Sequence, residues 1–226
     1  MANWDAQNDT VYIGSNPIIL IWRKPYYERK EISMLTKEQM IANHDRVVSL
    51  LESTNREGVD SLINWLENSD FFTAPASHSY HGSYDGGLCE HSLNVYDEVQ
   101  RIISVYKEIN VKADEIIISS LLHDLCKVNF YLKEKRNRKN KETNQWESYD
   151  AYTINEKFSY GGHGSKSVFL AQNFIKLTTT EAIAINCHMG CWDGNKDVGR
   201  AYEKSWFAWL LHVADESATY IKEGGE

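Results

Sequence analysis

The chain is short of helix breakers, of cross-links and of positive charge. Only three prolines occur in 226 residues, so little interrupts helical periodicity and a mostly α chain is expected. The four cysteines, Cys89, Cys126, Cys187 and Cys191, form no CxxC pair. A disulfide framework is therefore not expected, and reduced thiols in a cytoplasmic protein are, since no leader-like segment opens the sequence. Near the start the longest apolar run, in NPIILIW, falls far short of the roughly 20 residues that a membrane span requires. Lys and Arg number 24 against 32 Asp and Glu, a net charge of −8. That balance excludes a protein that coats nucleic acid non-specifically, while leaving room for a local basic patch.

What is present suits one globular domain with a small appendage: 42% of residues are hydrophobic and 12% aromatic. The expected class is all-α, with an N-terminal arm or hairpin over residues 1–35 and a helical domain over 36–226. The first segment carries TVYIG and IILIW around Ser15-Asn16-Pro17, a β-like pattern. Helices are expected from Thr36, which can cap KEQMIANHDRVVSLLES, and then in EGVDSLINWLENS, CEHSLNVYDEVQRIISVYKEI and DEIIISSLLHDLCKVNF. The last of these is nearly apolar all round, as a central buried helix would be. Alternation of Trp146, Tyr149, Tyr152 and Ile154 predicts a β-hairpin insertion at about 131–160. Helices resume in SKSVFLAQNFIKL, TTEAIAINCHM and YEKSWFAWLLHVADESATYIKE.

The chemistry-bearing residues stand out against this apolar background. His123 and Asp124 interrupt IIISSLLHDLCKVNF, and Asp215 interrupts WLLHVADESA. A buried carboxylate costs several kcal/mol unless it is paired or bound to metal. Imidazole and carboxylate are ligands for Mn, Fe, Ni, Zn or Mg. His91 opens its helix just after Gly86-Gly87, where the missing side chains permit close approach. With His123, Asp124 and Asp215 it can form one site, and His163 and His188 can complete a second with Asp124 bridging. Lys127, three residues after Asp124, falls on the same side of a helix, placed to hold a substrate phosphate or to neutralise developing charge. Cys187 and Cys191, at i and i+4, offer a thiol pair as a rival metal site. His44-Asp45 repeats the dipeptide, but its polar flanks make it a surface pair.

The order His91, His123-Asp124, Asp215 resembles the HD-domain superfamily of metal-dependent phosphohydrolases. HGSYDGGLCEHSLNV and SLLHDLCKV are most similar to the HD half of bacterial 3′–5′ exoribonucleases. The likeness spans about residues 78–220, and the two additional histidines look like the binuclear subset. The Gly-Tyr-Pro signature of cyclic-dinucleotide HD enzymes is absent, Gly164-Ser165 following His163 instead. The resemblance implies a helical bundle around one or two divalent ions. It implies a metal-activated water that cleaves a phosphate ester of a nucleotide or a short single-stranded nucleic acid, with Asp124 and Lys127 catalytic. It also puts His81 where those exonucleases carry a histidine, as a substrate contact. Lys135, Arg136 and Arg138, in the run KEKRNRKNKE, can overhang the site and attract phosphate, or form a solvated loop. A non-catalytic metal- and nucleotide-binding module and a di-iron oxygenase are the alternatives, and a homodimer is compatible with the sequence.

Overall fold

The computed structural model describes residues 2–5, 10–13, 16–19, 34–106, 108–140, 143–194, 196 and 198–223. The chain divides into two compact units, Met1–Ser33 and Met34–Glu226. In the first, β1 (Ala2–Asp5), β2 (Thr10–Ile13) and β3 (Asn16–Ile19) form an antiparallel sheet in the order β1-β2-β3. The expected hairpin is β2–β3, with Val11 opposite Ile18 and Tyr12 opposite Pro17. Pro17, which cannot donate to a ladder, sits in an edge strand. The β1 strand was not expected: ANWD does alternate apolar and polar residues, but over only four positions. Residues 20–22 of the IILIW run lie outside the described residues.

The second unit is mostly α with one β-hairpin. Its helices are α1 (Lys37–Ser53), α2 (Val59–Glu67), α3 (Gly87–Val105), α4 (Ala113–Leu122), α5 (His163–Gln172), α6 (Thr179–Cys187), α7 (Val198–Lys204) and α8 (Trp206–Ser217). Thr36 caps α1 as its sequence predicts: its hydroxyl accepts from Gln39 N–H, and Gln39 Oε1 accepts in return from Thr36 N–H. Thr178 and Glu181 repeat this box at the start of α6. Central helices α3, α4, α6 and α8 pack on one another, with α1 against α3 and α4, and α5 against α6. One apolar cluster gathers Leu51, Leu66, Phe71, Leu88, Leu121, Leu122 and Ile185. Another joins Val95, Val99, Ile116, Phe207, Leu210 and Leu211. The full burial of such side chains contributes roughly 1.5–3 kcal/mol each.

The helix expected in SKSVFLAQNFIKL ends early, at Gln172, and two others are interrupted. The segment DEIIISSLLHDLCKVNF was expected to be one helix; α4 stops at Leu122, His123 caps it, and Asp124 leaves helical geometry at φ −107 and ψ 22. A 3₁₀ turn, Leu125–Lys127, follows. The final helix is divided at Ser205, whose hydroxyl accepts from Ala208 N–H and begins α8 afresh. It continues as a π turn, Ala218–Lys222. The insertion is the antiparallel hairpin β4 (Tyr131–Lys139) and β5 (Trp146–Ile154), with Lys135 opposite Asp150 and Arg138 opposite Glu147. No helix among the described residues is long and apolar enough to cross a membrane.

Candidate metal centre

The polar residues singled out in sequence come from the ends and inner faces of packed helices. His91 projects from the first turns of α3, and the close packing there depends on glycine: a Cβ on Gly87 would lie 2.0 Å from the Gly82 carbonyl oxygen. His123 and His188 each occupy the residue that ends a helix, α4 and α6. Each donates Nδ1–H to the carbonyl three residues back, His123 to Ser120 at 2.8 Å and His188 to Ile185 at 2.7 Å. A carbonyl only accepts, so both Nδ1 atoms carry the hydrogen and both Nε2 atoms present a lone pair inward. His91 is fixed the same way: its Nδ1 donates to Glu223 Oε1 at 3.0 Å.

These Nε2 atoms converge on two carboxylates. His91 Nε2 lies 3.1 Å from Asp215 Oδ1, 3.6 Å from Asp124 Oδ2 and 3.3 Å from His123 Nε2. His123 Nε2 is 3.4 Å from Asp124 Oδ2. His188 Nε2 stands 3.5 Å from Asp124 Oδ1 without hydrogen-bond alignment, and so is buried with no hydrogen-bond partner. His91, His123 and Asp124 form one triplet of donor atoms within 4.8 Å of one another, and His123, His188 and Asp215 form another. With His91 protonated, its Nε2–H is shared between Asp215 and the His123 Nε2 lone pair; a cation that displaces this proton would find both Nε2 atoms already aimed at it. Metal–nitrogen and metal–oxygen bonds of about 2.0–2.2 Å set ligand atoms roughly 3.0–3.5 Å apart. The donor set thus fits a divalent ion in chemistry and in spacing.

The titration of these groups reflects the same excess of negative charge. Burial works against a charged His91 ring, but the carboxylates of Glu223 and Asp215 outweigh it and raise its pKa to about 10. Burial likewise opposes ionised Asp124, and Lys127 with His123 outweighs it, holding the carboxyl well below the usual range. Asp215 is lowered as well, the hydrogen bond from His91 overcoming burial. Lys127 is itself buried, with Nζ 2.6 Å from Asp124 Oδ2. Despite the helix break, it reaches the carboxylate that its spacing suggested.

The remaining sequence candidates divide. His163 begins α5 with Nδ1 3.4 Å from Cys126 Sγ, and it shares a group of close donor atoms with Asp124 and Cys126. His81 stacks near His91, ring centroids 4.9 Å apart, with Nε2 buried and unpartnered. Burial and the neighbouring His91 lower its pKa to about 4. Lys135, Arg136 and Arg138 lie on exposed β4, each in an ion pair: with Asp150 at 2.6 Å, Glu134 at 2.5 Å and Glu147 at 2.6 Å. The hairpin is tied back by Asp85, which accepts from Tyr152 Oη at 2.6 Å and from Lys133 Nζ at 2.8 Å. Asp85 directly precedes Gly86-Gly87, so this tie lies beside the start of the helix that carries His91. His44 and Asp45 pair with each other on the exterior of α1, Nδ1 to Oδ1 3.0 Å. His212 donates Nδ1–H to the His188 carbonyl at 2.6 Å and supports that turn. A groove of about 800 Å³ between α5, α6 and α7 is lined by Gln172, Thr179, Asn186 and Arg200, and none of the candidate His and Asp ligands lines it.

Sequence reasoning missed Glu223, Asn94 and Cys126. Glu223 stands eight residues after Asp215, about two helical turns, and that periodicity was its only signal. Cys126 sat in view between Asp124 and Lys127, but nothing local marked its sulfur as facing a histidine 37 residues away.

No family model matches the chain, and no solved structure does. A curated dihydroneopterin 2′,3′-cyclic phosphate phosphodiesterase of Methanocaldococcus jannaschii is 33% identical over 154 residues, covering 66% of this chain and 53% of that protein. The chain spans about half the length of this curated relative.

Proposed function

We propose that this chain is a metal-dependent phosphodiesterase of the HD type, acting on a nucleotide-like small molecule. The observation that carries the reading is the convergence of His91 Nε2 and His123 Nε2 on the buried carboxylates of Asp124 and Asp215 at ligand spacing, both rings having their other nitrogen committed as a donor. His91, His123, Asp124 and Asp215 are the ligands of the main ion, with His188 closing the set from α6. A divalent ion held here supplies Lewis acidity to a phosphoryl oxygen and acidifies water towards neutrality. The relative's name supports phosphodiester over phosphomonoester, and makes a cyclic phosphate on a sugar-like chain the first substrate to try. Of the phosphate esters expected from sequence, it favours a small molecule over an oligonucleotide end.

The side chains around the ligands have separate tasks in this reading. Lys127 fixes Asp124 and brings a buried positive charge to the place where phosphate charge grows. His81, neutral at physiological pH and with an unanswered Nε2, offers a hydrogen bond to substrate. Lys135, Arg136 and Arg138 sit in exposed ion pairs worth about 0–1 kcal/mol each, with Arg138 also 4.9 Å from the centre of the Tyr149 ring, and an incoming phosphate can displace those pairs.

The test compares wild type with His123→Ala and Asp124→Ala. Metal content by elemental analysis and hydrolysis of 2′,3′-cyclic phosphates and bis(p-nitrophenyl) phosphate should be lost together, while far-ultraviolet circular dichroism stays unchanged. Undiminished hydrolysis by a metal-free Asp124→Ala protein would refute the proposal. A metal-loaded wild type that turns over no phosphodiester would favour the non-catalytic alternative.

A further inference from the structure

The turn after Asp124 brings a sulfur to the centre. Cys126, in the middle of the 3₁₀ turn, is buried, with Sγ 3.4 Å from His163 Nδ1 and 3.7 Å from Asp124 Oδ1. Donor atoms of Asp124, Cys126 and His163 all lie within 4.8 Å of one another. A tetrahedral site with a bond of about 2.3 Å to sulfur and about 2.0–2.2 Å to nitrogen or oxygen places the sulfur roughly 3.5 Å from its neighbours. The two observed spacings bracket that value.

Asp124 faces both ways. Its Oδ2 lies towards His91 and His123, at 3.6 and 3.4 Å, and is the oxygen that Lys127 contacts. Its Oδ1 lies 3.7 Å from Cys126 Sγ and 3.5 Å from His188 Nε2. The turn is also held in register with α5: Cys126 N–H donates to Ser167 Oγ at 3.0 Å, and Ser167 lies one turn along the helix that His163 begins. Gly164 permits the close packing of α5 on α6, since a Cβ there would meet the Asn186 carbonyl oxygen at 2.3 Å. His188 also groups with His123 and Asp215, so it borders both sides of Asp124.

We infer that the chain binds a second ion between Cys126 Sγ, His163 Nδ1 and Asp124 Oδ1, with a thiolate in its ligand set. The inference rests on the reading that His91, His123 and Asp124 Oδ2 hold the first ion, and it changes the second. A soft sulfur donor selects Zn, Fe(II) or Co(II) over Mg or Mn, whereas a set of only imidazoles and carboxylates leaves Mn and Mg in contention.

Co(II) titration of the chelator-stripped full chain tests this without recourse to activity. Wild type should take up two equivalents, with visible ligand-field bands and a near-ultraviolet thiolate-to-cobalt charge-transfer band. Cys126→Ser should lose the near-ultraviolet band and one equivalent while keeping the first. Cys89→Ser and Cys187→Ser should behave as wild type. His163→Gln provides an independent arm should Cys126→Ser fail to fold: it should also lose one equivalent. A charge-transfer band that survives in Cys126→Ser overturns the inference, as does wild type binding cobalt with no such band, or His163→Gln retaining both equivalents and an unchanged band. Wild type that takes up no cobalt at all sinks the reading of the first site as well, so the two failures are distinguishable.

Discussion

Removing Glu223 tests whether the histidine lone pairs are aimed by their outer partners. The Glu223 carboxylate accepts from His91 Nδ1, 3.0 Å to Oε1 and 3.2 Å to Oε2, and from Asn94 Nδ2 at 2.9 Å. Burial alone would raise its pKa, yet His91 and Asn94 keep it below the usual value, so it is an anion at neutral pH. Its charge and position hold the His91 hydrogen on Nδ1, which leaves Nε2 for the ion. Loss of such an outer partner typically weakens metal binding by about 10–100-fold, or roughly 1.4–2.8 kcal/mol. Glu223→Ala should sit at the upper end, because it strands both the imidazole N–H and the Asn94 amide. Glu223→Gln keeps an accepting oxygen and loses only the charge, so about tenfold is expected. Competition against a chromophoric chelator at fixed pH measures both, with Glu203→Gln on exposed α7 as the control. Affinities for both Glu223 variants within twofold of wild type would refute the reasoning, since His91 would then be oriented without Glu223.

The remaining predictions concern pH and packing. In the metal-free protein, the raised pKa of His91 contributes stability that is complete below its ordinary value near 6.5 and is lost as pH rises through about 10. The lowered Asp124 and Asp215 contribute stability above about pH 4 that is lost on acidification. Thermal midpoints of the stripped protein should therefore fall from pH 7 to pH 10, and a midpoint that rises over that interval would contradict the His91 assignment. Metal uptake at pH 7 should release protons, measurable by calorimetry in buffers of different ionisation enthalpy, because His91 must give up its second proton to bind. Arg56 Nη1 pairs with fully buried Glu181 Oε1 at 2.6 Å, so Arg56→Ala should cost about 3–5 kcal/mol in denaturant titration by stranding a buried carboxylate; a loss below about 1 kcal/mol would show that Glu181 is satisfied by its capping role alone. Gly164→Ala should cost about 1–3 kcal/mol through its collision with the Asn186 backbone, and should weaken the second equivalent of Co(II) while sparing the first.

What the sequence made legible was local. Thr36 caps α1, and the alternation in WESYDAYTI marks a strand, because in both the determinants lie within a few residues of each other. His123-Asp124 was legible for a different reason: polar groups inside an apolar run are costly, so their presence asks for a partner. That argument names the residues but not their geometry. It did not show that α4 ends at Leu122, because LLHDLCKV is apolar enough to continue a helix, and the break comes from His123 turning its ring back onto the Ser120 carbonyl. The same back-bond recurs at His188 on Ile185, so the two helices end in one way and aim two lone pairs at one point. Partners across the fold were illegible because periodicity carries no long-range information. Arg56 meets Glu181 across 125 residues, and Cys126 meets His163 across 37. A sequence therefore announces buried ligands through the cost of burying them, while the groups that orient those ligands, such as Glu223 and the backbone carbonyls, blend into ordinary composition. In the proposed reading the choice of ion would depend on that second group and on Cys126, so the His and Asp pattern leaves hard and soft metals level and the cysteine that the fold adds would tip the choice to the softer ones.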